Sequence, residues 1–291
     1  MIDFMKYKTI YFVISAIVII PGIVSLIMFG LKPSIDFTGG SLLEVGFLEN
    51  QANIERSKEL IPEGIELNTI QTSGENNLLL KLKPITREQS EDIKSNFSGE
   101  YGQIEEVRFE TVGPTIGKEL LRKTLFAVAA AAGAILIYVM YQFSELKYGV
   151  SAVLAMFHDS LILLGTFSLL GHYYGVEVDT LFVTAVLTIL SFSVHDTIVV
   201  YDRIRETLRK NRKAKFIDIV NKSVAETLGR SINNSMTIIF MLLALWLLGG
   251  ETTKWFVFAL LVGTITGTYS STFTAAPLLI LWEEIKAKRK N

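Results

Sequence analysis

Six apolar runs, each near the length needed to cross a lipid bilayer, constrain this 291-residue chain more than any other feature of its sequence. A helix needs roughly 20 apolar residues to span about 30 Å of hydrocarbon. Residues 9–29, 125–143, 149–170, 181–201, 233–248 and 255–282 supply such runs, the fifth short and the last long enough to tilt or extend past the bilayer. Half of the residues are hydrophobic and the mean hydropathy is +0.40, above the usual range of soluble chains. The first run follows Lys6 and Lys8 as a signal peptide would. It is too long for a signal-peptide core and ends without a small-x-small cleavage site, so it reads as a retained anchor.

The basic residues orient the spans. Residues 171–179 hold no Lys or Arg, whereas 202–232 hold nine, among them Arg203, Arg205, Arg209, Lys210 and Arg230. The positive-inside rule keeps the second segment in the cytoplasm. By alternation Lys6, Lys8, Lys147 and the C-terminal tail fall on the same side. This places residues 1–30 as a first span, 31–118 as an exported domain, and 119–291 as spans two to six with a cytoplasmic loop at 202–232. The formal net charge of −1, from 28 basic and 29 acidic residues, creates no field that would attract nucleic acid. Cysteine is absent, which removes disulfides, thiolate metal sites and cysteine nucleophiles.

The 31–118 segment carries a different pattern. A strand at 35–47 with an interruption at Gly39-Gly40, a helix at 52–60, strands at 65–72 and 78–83, a helix at 86–96 and a strand at 104–112 give the order β-α-β-β-α-β. The glycine pair reads first as a bulge inside that strand. Thr86 with Gln89 three positions on is a capping pattern. This element order commonly folds as a ferredoxin-like α+β sandwich, and nothing in it combines metal-ligand spacing, a nucleophile beside a base, or a phosphate loop. A binding or lever role is expected of it, not catalysis.

The informative residues are polar ones at membrane depth, where a charge costs roughly 2.5 to 3.5 kcal/mol even on the mildest scale. Asp159 lies mid-span beside His158, and Asp196 lies toward the cytoplasmic part of the fourth span beside His195. Thr184, Thr188, Ser191 and His195 form a stripe at steps of four and three, with Ser193 and Asp196 on the adjoining face. Arg230, Asn233, Asn234 and Thr237 open the fifth span, and Gly263, Thr264, Gly267, Thr268, Ser271 and Thr272 give the sixth a small polar face. These faces are expected to converge into one buried polar core. Two readings of Asp196 and Arg230 stand open: a permanent ion pair that pins two helices, or a proton carrier whose arginine is near or far according to state. The histidines read most simply as hydrogen-bonding core residues.

Several longer motifs resemble the SecF family: Asp36-Phe37-Thr38-Gly39-Gly40, Val112-Gly113-Pro114-Thr115-Ile116-Gly117, His158-Asp159, Val194-His195-Asp196-Thr197-Ile198-Val199-Val200-Tyr201-Asp202-Arg203-Ile204-Arg205-Glu206, and Arg230-Ser231-Ile232-Asn233-Asn234-Ser235. The resemblance runs over nearly the whole chain. It implies a six-helix membrane bundle, half of a resistance-nodulation-division-like exporter, with an inserted ferredoxin-like exported domain. It further implies a non-enzymatic accessory subunit of the Sec preprotein translocase in the bacterial inner membrane, driven by the proton-motive force. The implied partners are a SecD-like subunit, the SecY-SecE-SecG channel, YajC, unfolded preprotein and the lipid bilayer. No cofactor is implied beyond the coupling ion, H+ or, as in some marine relatives, Na+. By motif, Asp196 and Arg230 fall on proton-pathway positions with Asp159 as a third member, while His195, Ser193, Asn233, Asn234 and Thr237 line the pathway or pack beside it.

The alternatives are an autonomous ion-driven exporter of small molecules or lipids, and an intramembrane aspartyl protease. The second lacks the Gly-x-Gly-Asp half of its signature. A metal-dependent phosphohydrolase built on the two His-Asp dipeptides lacks further ligands.

Overall fold

A computed structural model describes residues 3–49, 52–74, 76–143 and 145–288. Contacts within the chain divide it into Met1–Lys32 with Ala127–Asn291, and Pro33–Phe126.

In the second unit a short helix α2 (Ile35–Thr38) leads into strand β1 (Gly40–Phe47), followed by α3 (Ile54–Glu59), β2 (Leu67–Ser73), β3 (Asn77–Leu82), α4 (Arg87–Tyr101) and β4 (Ile104–Val112). The four strands pair antiparallel in the order β2-β3-β1-β4. Alternate residues Leu43, Val45 and Phe47 of β1 and Leu78, Leu80 and Leu82 of β3 point to one face. There they meet Ile93, Phe97 and Tyr101, spaced four apart on α4. Phe97 is fully buried, so its truncation to Ala would cost about 3 to 5 kcal/mol. Helix α4 starts at the expected capping box: the Thr86 hydroxyl accepts from Gln89 N, and Thr86 N donates to Gln89 Oε1.

The strand expected at 35–47 is corrected at its start. Residues 35–38 are helical, because Ser34 Oγ caps Asp36 N, and the glycine pair separates that turn from the strand. Gly39 has φ +76° and Gly40 φ +137°. A Cβ on Gly39 would stand 2.7 Å from Pro114 Cα, and one on Gly117 would stand 2.9 Å from Gly39 N. The pair is therefore required both by a left-handed backbone and by the close approach of helix α5 (Pro114–Gln142). A register shift does occur in β1, at Glu44/Val45 opposite β4.

Among the described residues, six helical segments are long and apolar enough to span a membrane. The other unit holds five and the second half of α5: α1 (Lys8–Phe29), α6 (Leu146–Tyr174), α7 (Thr180–Lys210), α8 (Phe216–Leu248), and a last span made of α9 (Glu251–Ser270), a π-helical turn (Ser271–Ala275) and α10 (Ala276–Lys288). Helices α1 and α6 cross where Gly22 faces Gly165, so closely that a Cβ on Gly165 would lie 2.5 Å from Gly22 Cα. Helix α7 packs against α6, α8 and α9. The Asp179 side chain caps its start, accepting from Phe182 N at 2.7 Å, and Gly175 in the left-handed conformation ends α6.

The segment expected as a cytoplasmic loop at 202–232 is mostly helix: α7 runs on to Lys210 and α8 begins at Phe216. Charged residues spaced three and four apart support the extension, through Arg203 to Glu206 and Glu206 to Lys210, and Arg203 reaches across to Glu226 at 2.6 Å.

Candidate functional site

Among the described residues, two buried carboxyls lie inside the bundle, each bonded to hydroxyl groups. Asp159, 1% exposed, projects from the middle of α6. Its Oδ2 accepts from Ser193 Oγ on α7 and from Ser270 Oγ at the end of α9, both at 2.6 Å. Its Oδ1 lies 2.9 Å from Nδ1 of His158, whose Nε2 lies 2.9 Å from Ser15 Oγ on α1. Four helices thus meet at one carboxyl and its neighbouring imidazole. Asp196, 8% exposed, projects from α7, and its Oδ2 accepts from Ser231 Oγ on α8 at 2.7 Å and from Ser271 Oγ at 2.5 Å. Hydroxyl donors at these distances are what a buried carboxyl requires where water is excluded.

The two clusters share the last span. Ser270 serves Asp159 and the adjacent Ser271 serves Asp196, and the π turn begins at that second serine. Tyr201, one face further along α7, donates its hydroxyl to the carbonyl of Ala275 at 2.9 Å, which fixes the far end of the turn. The hydroxyls of Thr272 and Thr274 are buried and find no partner among the described residues. Short π segments inside α-helices often mark functional positions.

The expected convergence of polar faces is only partly realised. Ser193 and Asp196 turn inward with Ala185, Ile189 and Val200, which bury that face of α7. Thr184, Thr188, Ser191 and His195 lie on another face and stay exposed, lining an open groove of about 620 Å³ with Leu187 and Phe192. Asn233, Asn234 and Thr237 on α8 are exposed as well. The threonines survive there because each back-bonds to its own helix, Thr188 to Thr184 O and Thr237 to Asn233 O. Arg230 is exposed and, among the described residues, forms no ion pair with Asp196; it lines a cavity of about 780 Å³ at the charged ends of α7 and α8 with Arg209 and Glu226. The adjacent residue, Ser231, occupies the place beside Asp196 that the arginine could have taken. A permanent Asp196–Arg230 pair is therefore not what holds these helices together in this conformation.

Residues 92–285 match the family model of the protein export membrane protein SecD/SecF C-terminal region, and residues 24–47 match the SecD/SecF GG motif. The chain belongs to the SecD/SecF family, on its SecF side. A protein translocase subunit SecF from Thermobaculum terrenum is 41% identical, over 97% of this chain and 94% of that protein. The protein translocase subunit SecDF of Bacillus subtilis is 34% identical over 99% of this chain, which spans 39% of that longer protein. The crystal structure of SecDF from Thermus thermophilus, a translocon-associated membrane protein, superposes with a TM-score of 0.84 at 32% identity, covering 97% of this chain and 39% of that one. The chain is thus a multi-pass membrane protein with an accessory role in Sec translocation, and its relatives are named as translocase subunits, with no enzymatic family indicated.

Three hydroxyls of the SecF site, Ser15, Ser231 and Ser270, were not among the expected site residues, whereas Ser271 belongs to the small polar face of the sixth span that was expected to join the polar core. A signal for Ser15 exists, since an isolated hydroxyl inside a long apolar run needs a partner. Ser231 sits inside a family motif, directly after Arg230.

Proposed function

We propose that the chain works with a SecD-like subunit to couple ion flow across the bacterial inner membrane to preprotein export, with Asp196 as proton carrier. The observation that carries this reading is a carboxyl buried at membrane depth, held by two serine hydroxyls and by no cation among the described residues. A hydroxyl donates to a carboxylate or accepts from a carboxylic acid, so the same cage tolerates both protonation states. Arg230 lies one residue from Ser231, at a solvent-open cavity, where it can draw the ionised form toward the cytoplasm or retire from it. Asp159 with His158 is a second proton-binding position on the same path. Na+ would use the same oxygen-rich surroundings.

The uncovered polar stripe of α7 and the exposed Asn233, Asn234 and Thr237 support a partner seat for the SecD-like half, since a polar face does not remain against lipid. Both termini and the α7–α8 turn lie in the cytoplasm in this reading, and the sheet unit, with the order expected of a ferredoxin-like domain, is the exported lever that meets unfolded preprotein emerging from SecY-SecE-SecG. YajC is a further subunit of that assembly.

The test is preprotein translocation into membrane vesicles with and without a proton gradient. Asp196→Asn keeps shape and hydrogen bonding but cannot carry a proton, so the complex assembles and stimulation by the gradient is lost. Arg230→Lys keeps the charge without the planar fork and lowers stimulation less. A normal gradient response from Asp196→Asn would end this reading.

A further inference from the structure

We infer that Ser270 and Ser271 form a two-position switch that couples Asp159 to Asp196, so that protonation of one carboxyl changes the state of the other. The inference rests on the reading of Asp196 as a proton carrier. Each serine has two acceptors within reach. Ser271 Oγ lies 2.5 Å from Asp196 Oδ2 and 3.1 Å from Thr268 O of its own helix. Ser270 Oγ lies 2.6 Å from Asp159 Oδ2 and 3.3 Å from Gly267 O. One hydroxyl proton cannot serve both acceptors well, and the shorter contact to the carboxylate dominates while the carboxyl is ionised.

Protonation reverses that preference. A proton arriving from water onto Asp196 Oδ2 turns the oxygen into a donor, and it can no longer accept from both Ser231 and Ser271. Ser271 then turns to Thr268 O, an acceptor already in place. Because Ser270 is its neighbour on the same backbone, the movement changes the hold on Asp159. The π turn makes such a shift cheap. It is tied to α7 at Ser271 and again at Ala275 by Tyr201, and between those ties Thr272 and Thr274 carry buried hydroxyls with no partner among the described residues. In a regular α-helix threonine hydroxyls back-bond to the carbonyl one turn earlier, so a return toward α geometry offers those two hydroxyls the acceptors they lack. Loss of the Asp196 contact therefore releases a segment that already favours another register.

The titratable and charged groups around the switch are His158 and Asp159 on α6, His195, Asp196 and Tyr201 on α7, Arg230 on α8, Tyr269 on α9 and Tyr11 on α1. Tyr269 is tied elsewhere, donating to Tyr11 O at 2.9 Å, and its ring stacks near His158 with centroids 6.3 Å apart. Ser270 and Ser271 touch the two carboxyls through adjacent residues, while on α7 Ser193, which also donates to Asp159, stands three residues from Asp196 and is left intact by the double substitution below.

The experiment is infrared difference spectroscopy of the full chain in lipid vesicles across a pH series, with the carboxyl bands assigned through Asp159→Asn and Asp196→Asn. The native chain is expected to show a shift of the Asp159 band as Asp196 takes up its proton. In the Ser270→Ala/Ser271→Ala double variant both bands should persist and titrate independently, with the shift lost. Alanine removes only the hydroxyl, and the surviving bands report that the bundle has folded. Independent titration in the native chain, or a shift that survives the double substitution, overturns the switch and leaves Asp196 as carrier. An Asp196 band that never titrates overturns both the switch and the carrier reading.

Discussion

In the sheet unit Glu106 is held by two cations, whereas in the bundle Asp196 is held by hydroxyls and Asp159 by hydroxyls and the His158 ring. Arg87 Nη1 lies 2.6 Å and Lys94 Nζ 2.7 Å from the oxygens of Glu106. Burial works against the charge on Glu106, but the bonds from Arg87 and Lys94 outweigh it and hold its carboxyl below the usual range. A cation stabilises only the ionised form, so Glu106 is locked. A serine serves either form, so the bundle carboxyls are held in place without being locked. Such a cage separates control of position from control of protonation state, as the carrier role proposed for Asp196 requires.

The strongest way to break that contrast is to give a bundle carboxyl a permanent cation. Ser231→Lys puts an ammonium-bearing side chain at the mid-helix position of α8 that now donates to Asp196. The variant should assemble with its partner yet lose the whole response of preprotein translocation to a proton gradient, as is expected of Asp196→Asn. Retention of more than half of the response would show that hydroxyl contacts are not what leaves Asp196 free to change state.

A smaller effect is expected from emptying the other cage. Asp159→Ala strands Ser193, Ser270 and His158 around a missing acceptor, and unsatisfied buried donors cost about 2 to 3 kcal/mol. Denaturant-induced unfolding of the full chain in micelles should show a loss of that size, and Asp159→Asn, which keeps a carbonyl oxygen, should recover part of it. An Asp159→Ala chain as stable as the native one would mean that the cage is not strained by losing its centre.

What the sequence could reveal followed from local patterns. Apolar run length placed all six spans, and the Thr86-x-x-Gln89 pattern placed the start of α4, because hydropathy and capping depend on residues close together in the chain. The costly carboxyls were found for the same reason: a charge inside an apolar run is conspicuous. Some of their partners were found too, Ser193 and Ser271 on polar faces and His158 beside Asp159, but Ser15, Ser231 and Ser270 are unremarkable locally and become partners only when the helices cross. Charge complementarity pointed to Arg230 as the neighbour of Asp196, while one residue of helical rotation gives the place in this conformation to Ser231. The stripe of α7 was legible as polar, but which face a helix buries is decided by α6 and α9, and they take the face of Ser193 and Asp196.

The smallest effect is expected where the carboxyl is already locked. Glu106→Gln removes the charge that Arg87 and Lys94 neutralise, and because the Arg87 side chain is 53% exposed, solvent screening of that pair holds the loss to about 1 kcal/mol. The sign of its pH dependence follows from the lowered carboxyl of the folded state. Above the unfolded glutamate value, about 4.3, Glu106 is ionised in both states and its stabilisation is fully present. As pH falls through the folded value the carboxyl is protonated in the folded protein too, and the stabilisation is lost. Hydrogen exchange at the amides of β4, followed in the full chain, should therefore be faster in Glu106→Gln than in the native protein at neutral pH, and the difference should shrink as the pH is lowered through the carboxylate range. A difference that stayed constant on acidification would mean that shape and not charge accounts for the effect. The contrast between a carboxyl locked by cations and carboxyls caged by hydroxyls would then lose its electrostatic basis.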